Sequence, residues 1–285
     1  MVTVRPHRRR RRWIGRSILL VLVVAVGIGG YLGVQGVVKN FGGPSCRAVA
    51  SGQEVTFTPE QMANAATITA VAVRRGLPAR AATIALATAI QESKLRNIRF
   101  GDRDSLGLFQ QRPSQGWGTE EQILDPVYAS NRFYDELVKV PGYQDMEITK
   151  VAQRVQKSAF PEAYADHERE GRVLASTLAG HSPGGLGCRL DAATTARPAA
   201  SVMTALAREF AVKPTAQGKL LTVRATTAQQ AWALASWAVS HAEADGFTSV
   251  TVGDRTWTRD RDTQAWTWSR ARQPAPATTV VITRH

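Results

Sequence analysis

Long apolar stretches broken by short polar ones divide this chain before any single residue is considered. Ser17 to Val38 runs for 22 residues without a formal charge. As a helix rising about 1.5 Å per residue, it is long enough to cross a hydrocarbon core about 30 Å thick. Residues 39–54, rich in glycine, proline and serine, read as a linker. From 55 to 188 the pattern is helical. Thr58-Pro59-Glu60-Gln61 combines an N-cap, a proline at the first helical position and a glutamine at the third, and the helix it opens runs to Arg75, closed by Gly76. Leu77-Pro78 opens a second helix to about Ser93, and Asp125-Pro126 a third that stops at Pro141-Gly142. Residues 147–158 and 162–179 complete what this spacing predicts to be an all-α domain.

The breaker run His181 to Gly187 and a flexible stretch over 189–200 lead into a tail of different character. Residues 201–211 read as a helix and Leu220 to Ala225 as a strand. Thr227 to Gln230 starts a helix ending near Gly246. The segments FTSVTV, RTWTRD, QAWTWS and TTVVITR then alternate as strands do. The tail, 201–285, is expected to be a small accessory α+β domain, which makes the chain α+β overall.

Charge changes the picture at one end. The net charge of +13 invites a nucleic-acid reading. However, Arg5, Arg8 to Arg12 and Arg16 supply seven of those charges, leaving a net +6 over the remaining 269 residues. The excess therefore reads as a topology signal, and nucleic acid is excluded as the partner. Residues 1–16 are expected to form a basic cytoplasmic tail, residues 17–38 a single membrane-spanning anchor in contact with lipid, and the rest to lie outside the cell. A cleaved signal peptide is the rival. Its best cleavage pattern, Ala48-Val49-Ala50, lies a dozen residues beyond the apolar run, and that run is longer than the usual leader core of about 7–15 residues. The two cysteines, Cys46 and Cys188, both fall in the exported part, where disulfides persist. They are expected to pair as a clasp around the first domain; the other reading is two unrelated thiols.

The candidate chemistry centres on Glu92. It follows a stretch, Ala81 to Ile90, that is apolar around most of the helix, so the helix is expected to be buried. A carboxylate at the C-terminal end of a buried helix is disfavoured by the helix dipole and by desolvation. Both raise its pKa, as the general acid of glycosidic cleavage requires; the other reading is that Glu92 is simply the first polar residue after a core helix.

Gln91-Glu92-Ser93 is followed by Gly107-Leu108-Phe109-Gln110, the last residue eighteen positions after the glutamate. Over about residues 58–180 the chain resembles the soluble lytic transglycosylase and goose-type lysozyme superfamily. That family carries a Glu-Ser pair at a helix end and then a Gly-Leu-Met-Gln-like element, with Phe109 here in place of the methionine. The resemblance implies a lysozyme-like domain acting on peptidoglycan glycan strands, with Glu92 as general acid and base. It implies Ser93 as a hydrogen-bonding neighbour of the sugar and Gln110 as a subsite contact. The sequence departs from the family twice. Asp125 to Asn131 lacks the glycine of the family's Asn-Ile-x-x-Gly element. Gln156 to Pro161 lacks the tyrosine of its Ala-Tyr-Asn-Ala-Gly element, for which Tyr164 is the candidate substitute.

Hydrolysis and transglycosylation share this scaffold, and hydrolysis commonly uses a second carboxylate to hold water. Asp102 and Asp104 are the candidates, or else a solvated turn beside Arg103. Trp117, in the run PSQGWG, is placed either to stack on a sugar or to cap the core. The five histidines do not cluster with the cysteines, and no phosphate-binding glycine loop is present, so neither metal nor cofactor is expected. A membrane-anchored peptidoglycan-cleaving enzyme is therefore expected. The alternative is an inactive wall-binding scaffold, associated with the envelope or with a secretion or conjugation machine.

Overall fold

The computed structural model describes Gly30 and residues 42–156 and 161–285. The basic tail and, apart from Gly30, the expected span at 17–38 lie outside the described residues. Among the described residues no helix is long and apolar enough to cross a membrane. The chain divides into two compact units, Met1–Gly43 and Pro44–His285. The fold described below is that of the second.

That unit opens with strands. β1 (Ser45–Ala50) and β2 (Gln53–Phe57) pair antiparallel. Ser51 and Gly52 turn between them at φ 48° and 73°, the left-handed pair that two-residue hairpins require. Along β1, Cys46, Ala48 and Ala50 face inward. β3 (Leu186–Arg189) joins the other edge of β1, giving the order β2-β1-β3. This sheet corrects the all-α expectation for 55–188. Part of the stretch read as a linker is a hairpin, and the residues that close the segment are its third strand. Cys46 and Cys188 stand opposite each other in the β1–β3 register and form a disulfide.

The helices follow. α1 (Pro59–Arg74) has the capping box read from its sequence, with Thr58 and Gln61 exchanging bonds. α2 (Ala79–Ser93) is buried along nearly its whole length from Ala81 to Ile90. After the single turn α3 (Glu120–Ile123) come α4 (Pro126–Leu137), capped by Asp125, and the amphipathic α5 (Ile148–Gln156). A 3-10 helix (Pro161–His167) leads into α6 (Glu168–Leu178). α2 is enclosed by α1, α4, α5 and α6. Its closest approach is to α6 at Gly171, where a Cβ would sit 2.7 Å from the Thr83 carbonyl and 3.2 Å from the Ala87 nitrogen.

The tail adds α7 (Ala199–Phe210), β4 (Thr215–Gln217), β5 (Leu220–Arg224), α8 (Ala228–Asp245), β6 (Phe247–Val252), β7 (Arg255–Thr258), β8 (Ser269–Arg270) and β9 (Thr279–Arg284). The strands form one antiparallel sheet in the order β4-β5-β9-β6-β7-β8. α8 joins β5 to β6, which flank β9, and covers the face carrying Val223, Val250, Val280 and Ile282.

QAWTWS is not the strand its alternation predicts. It begins as a 3-10 helix (Thr263–Trp266) capped by Asp262, and only its last residue enters β8. Tertiary contacts override the local pattern. The Trp266 indole donates to the Ser45 carbonyl at 3.3 Å, and that of Trp268 to the Leu186 carbonyl at 2.7 Å. Both anchor the tail to the first sheet. α8 also packs on α1 and α6, so a single hydrophobic core runs from Cys46 to Ile282 where two domains joined by a linker were expected. Trp237 and Trp257 are buried in that core.

Candidate active site

Glu92 occupies the last turn of α2, and its surroundings fix that turn. The backbone leaves the helix through left-handed residues Lys94 and Leu95, at φ 55° and 58°. The carbonyls exposed by this exit are taken by α1: Gln61 donates to Lys94 O and Asn64 to Leu95 O, both at 2.8 Å. Gln61 thus caps its own helix with one end and holds the end of α2 with the other.

The Gly107-Leu108-Phe109-Gln110 element is a tight hairpin. Leu106 and Gln111 exchange backbone bonds at 2.9 and 3.0 Å across it. Gly107 has φ 75°, and a Cβ there would meet the Ile123 carbonyl at 2.8 Å, so both conformation and space require glycine. Gln110 adopts φ 47° without being glycine, a conformation that costs about 1–3 kcal/mol and persists only where the surroundings impose it. Phe109, fully buried, stacks on Phe133 with ring centroids 4.7 Å apart.

This hairpin is tied to Glu92 from both sides. The Ser93 hydroxyl donates to Leu108 O at 2.8 Å and to Ala89 O at 3.1 Å. Ser93 is buried, and its bonds join helix end to hairpin. On the other side, the Gln156 amide donates to Phe109 O at 2.5 Å and also bonds the Glu92 carboxylate.

The Tyr164 hydroxyl donates to Glu92 Oε1 at 2.6 Å across 72 residues of sequence. Three residues on, His167 Nε2 lies 3.1 Å from Gln91 Oε1, and its Nδ1 lies 2.8 Å from Glu170 Oε2. Side chains three apart eclipse in a 3-10 helix. Tyr164 and His167 therefore project on one side and clasp the consecutive residues Glu92 and Gln91. Burial pushes the Glu92 pKa above the ordinary carboxylate value, and its bonds from Tyr164 and Gln156 pull partly the other way. The result is an acid that favours its proton while held in a fixed orientation.

The other sequence candidates are placed as follows. Asp104 accepts from Arg112 Nε and from the Ser114 backbone nitrogen, each at 2.8 Å. These two bonds hold its carboxyl well below the usual carboxylate range and pin the Gly101–Ser105 loop to the turn at Pro113–Gln115. Asp102 is exposed, with its carbonyl closing the loop by accepting from Ser105 N. The Gln110 amide turns back to Gly107 O at 3.2 Å and Phe100 O at 3.5 Å. Trp117 is buried, with the Arg132 guanidinium 6.0 Å from its ring. Gln156, His167 and Arg112 were not singled out from the sequence. Among the described residues no group of histidine, cysteine and carboxylate side chains is arranged to hold a metal ion. A scan against protein-family models finds no match to this chain, and a search of curated proteins finds none either.

Proposed function

We propose that this chain cleaves the peptidoglycan glycan strand at the β-1,4 linkage between N-acetylmuramic acid and N-acetylglucosamine, with Glu92 as general acid and then base. The carrying observation is the 2.6 Å bond from Tyr164 to a half-buried Glu92. A tyrosine beside the glutamate is what the lytic transglycosylase-like resemblance calls for, and here it arrives from a different element than the resemblance implies. The Glu92 carboxyl gives its proton to the glycosidic oxygen as the C1–O bond breaks. The resulting carboxylate then takes the proton of the muramyl 6-hydroxyl as that oxygen bonds to C1, leaving a 1,6-anhydro end. One carboxylate suffices for this sequence. Of the two candidate second carboxylates, Asp104 is committed to Arg112 and Ser114, which removes one of the two groups that a two-carboxylate hydrolysis could use. The disulfide supports a site of action outside the reducing cytoplasm, where peptidoglycan is found.

Release of soluble muropeptides from purified peptidoglycan tests the proposal. A positioned general acid contributes about 10²- to 10⁴-fold, so Glu92→Gln should slow release by that factor. Binding to peptidoglycan without release by the native chain would establish the scaffold instead.

A further inference from the structure

A second feature lies one residue away from the Glu92 clasp. Trp117, Arg132, Glu136, Arg154 and Val155 line a cavity of about 370 Å³, within the size range of small-ligand sites. Val155 immediately precedes Gln156, which bonds Glu92, and Arg132 immediately precedes Phe133, which stacks on the hairpin residue Phe109. The cavity is therefore joined to the residues around Glu92 through both α4 and α5.

Among the described residues neither guanidinium group has a carboxylate oxygen closer than 3.8 Å. Arg132 has carboxylate oxygens only at 3.8 Å (Asp135) and 3.9 Å (Glu136), too long for a charge-assisted bond. Both acids have nearer cations: Asp135 lies 2.8 Å from Arg75, and Glu136 2.8 Å from Lys139. The hydrogen bond from Arg132 to Gly116 O is 3.5 Å long, and the Arg132 guanidinium lies 6.0 Å from the Trp117 ring. Arg154 reaches only the Met146 sulfur, at 3.6 Å, and among the described residues it has no carboxylate partner. By contrast Arg75, Arg80 and Arg112 each hold a carboxylate within 2.8 Å.

We infer that this cavity is a subsite for a carboxylate of the peptide carried on the muramyl unit, gripped by Arg132 and Arg154. The inference rests on the glycan-cleaving reading of Glu92 and adds to it a substrate preference. The guanidinium fork matches a carboxylate. In the intact strand N-acetylglucosamine carries no carboxyl and the lactyl carboxyl of the muramyl unit is bound up as the amide to its peptide, so the free carboxylates are on the peptide arms. The apolar surface of Trp117 and Val155 receives the peptide's carbon chain, so the site favours strands that still bear their peptides.

The test compares cleavage of intact peptidoglycan with cleavage of glycan from which an amidase has removed the peptides and whose freed lactyl carboxyls have then been capped as neutral amides, using the full chain and its Arg132→Gln and Arg154→Gln variants. Loss of a charge-assisted contact corresponds to about a ten- to hundredfold effect. Each variant should therefore lose at least about tenfold more kcat/KM on intact peptidoglycan than on the stripped strand. Equal losses on both substrates, or none, overturn the subsite. A binding measurement separates this from the activity itself. The Glu92→Gln chain should bind a disaccharide tetrapeptide more tightly than the disaccharide whose lactyl carboxyl is capped as a neutral amide, by a margin that both arginine variants abolish. If the native chain cleaves neither substrate, the catalytic reading falls, and this arginine-dependent margin alone upholds or overturns the site. Binding displaced by inorganic phosphate as readily as by a free peptide would mark a general anion site and overturn the peptide assignment.

Discussion

Reduction of the Cys46–Cys188 bridge should destabilise the fold by an amount that follows from its place in the chain. The bond closes a loop of 142 residues, and chain-entropy arithmetic for a loop of that length gives about 5 kcal/mol as the upper bound. Native bridges usually deliver about 2–4 kcal/mol. The middle of that range is expected here, because the β1–β3 register places the two residues opposite each other and the bridge requires no rearrangement of the strands. At about 2–4 °C for each kcal/mol in a unit of this size, a loss of about 3 kcal/mol lowers the melting point by about 6–12 °C. The assay is thermal and urea unfolding of the native chain with and without reductant, with free thiols verified by mass spectrometry. A reduced unfolded chain is freer to expand, so the urea dependence should also steepen. An unchanged midpoint in verified reduced protein would refute the reasoning, because the sheet would then hold its edges without the clasp.

Three further outcomes follow from the same contacts. Folded Glu92 binds its proton more tightly than the unfolded chain does. Its contribution therefore becomes a penalty as pH rises from below the ordinary carboxylate range through the folded pKa, and it stays one above that. Glu92→Gln should accordingly resist urea better than the native chain at neutral pH, with the gap closing in acid; a less stable variant at neutral pH counts against the buried-acid description. Gly171→Ala should destabilise by up to about 2 kcal/mol, since overpacking against Thr83 and Ala87 at about 1–3 kcal/mol outweighs a helix-propensity gain of about 1 kcal/mol; a rise in unfolding midpoint contradicts the close approach of α2 and α6. Tyr164→Phe should raise the Glu92 pKa in a carbon-13 carboxyl titration, by removing a bond that favours the anion, and His167→Ala should do the same to a smaller extent, with no added effect in the Tyr164→Phe background. Additive shifts would show that His167 acts on Glu92 by some other route.

Much of the helical frame was legible because its signals are local. Thr58, Asp125 and Thr227 stand at helix starts as side-chain caps, and the unbroken apolar run of α2 announced its burial. The first sheet was missed although it also left a local signal. Cys46, Ala48 and Ala50 alternate toward a Ser-Gly turn, but six residues beside a Gly-Pro pair read equally well as a linker. The union of the two halves into one core left no such trace, since it depends on Trp266 and Trp268 meeting Ser45 and Leu186 more than 80 positions away. The site divides the same way. Glu92 was singled out by its place at the end of a buried helix only in combination with Ser93 and the Gly107 to Gln110 element at the spacing the resemblance calls for. Gln156 and His167 meet residues beside it only through the packing of α5, the 3-10 helix and α6 around α2, and no spacing rule in a single sequence records that.

Glycan cleavage by Glu92 is the central claim, and mass spectrometry of the products released from purified peptidoglycan tests it most directly. The native chain should yield muropeptides with 1,6-anhydro ends, and Glu92→Gln should yield almost none. No products from the native chain, or equal products from the variant, would contradict it.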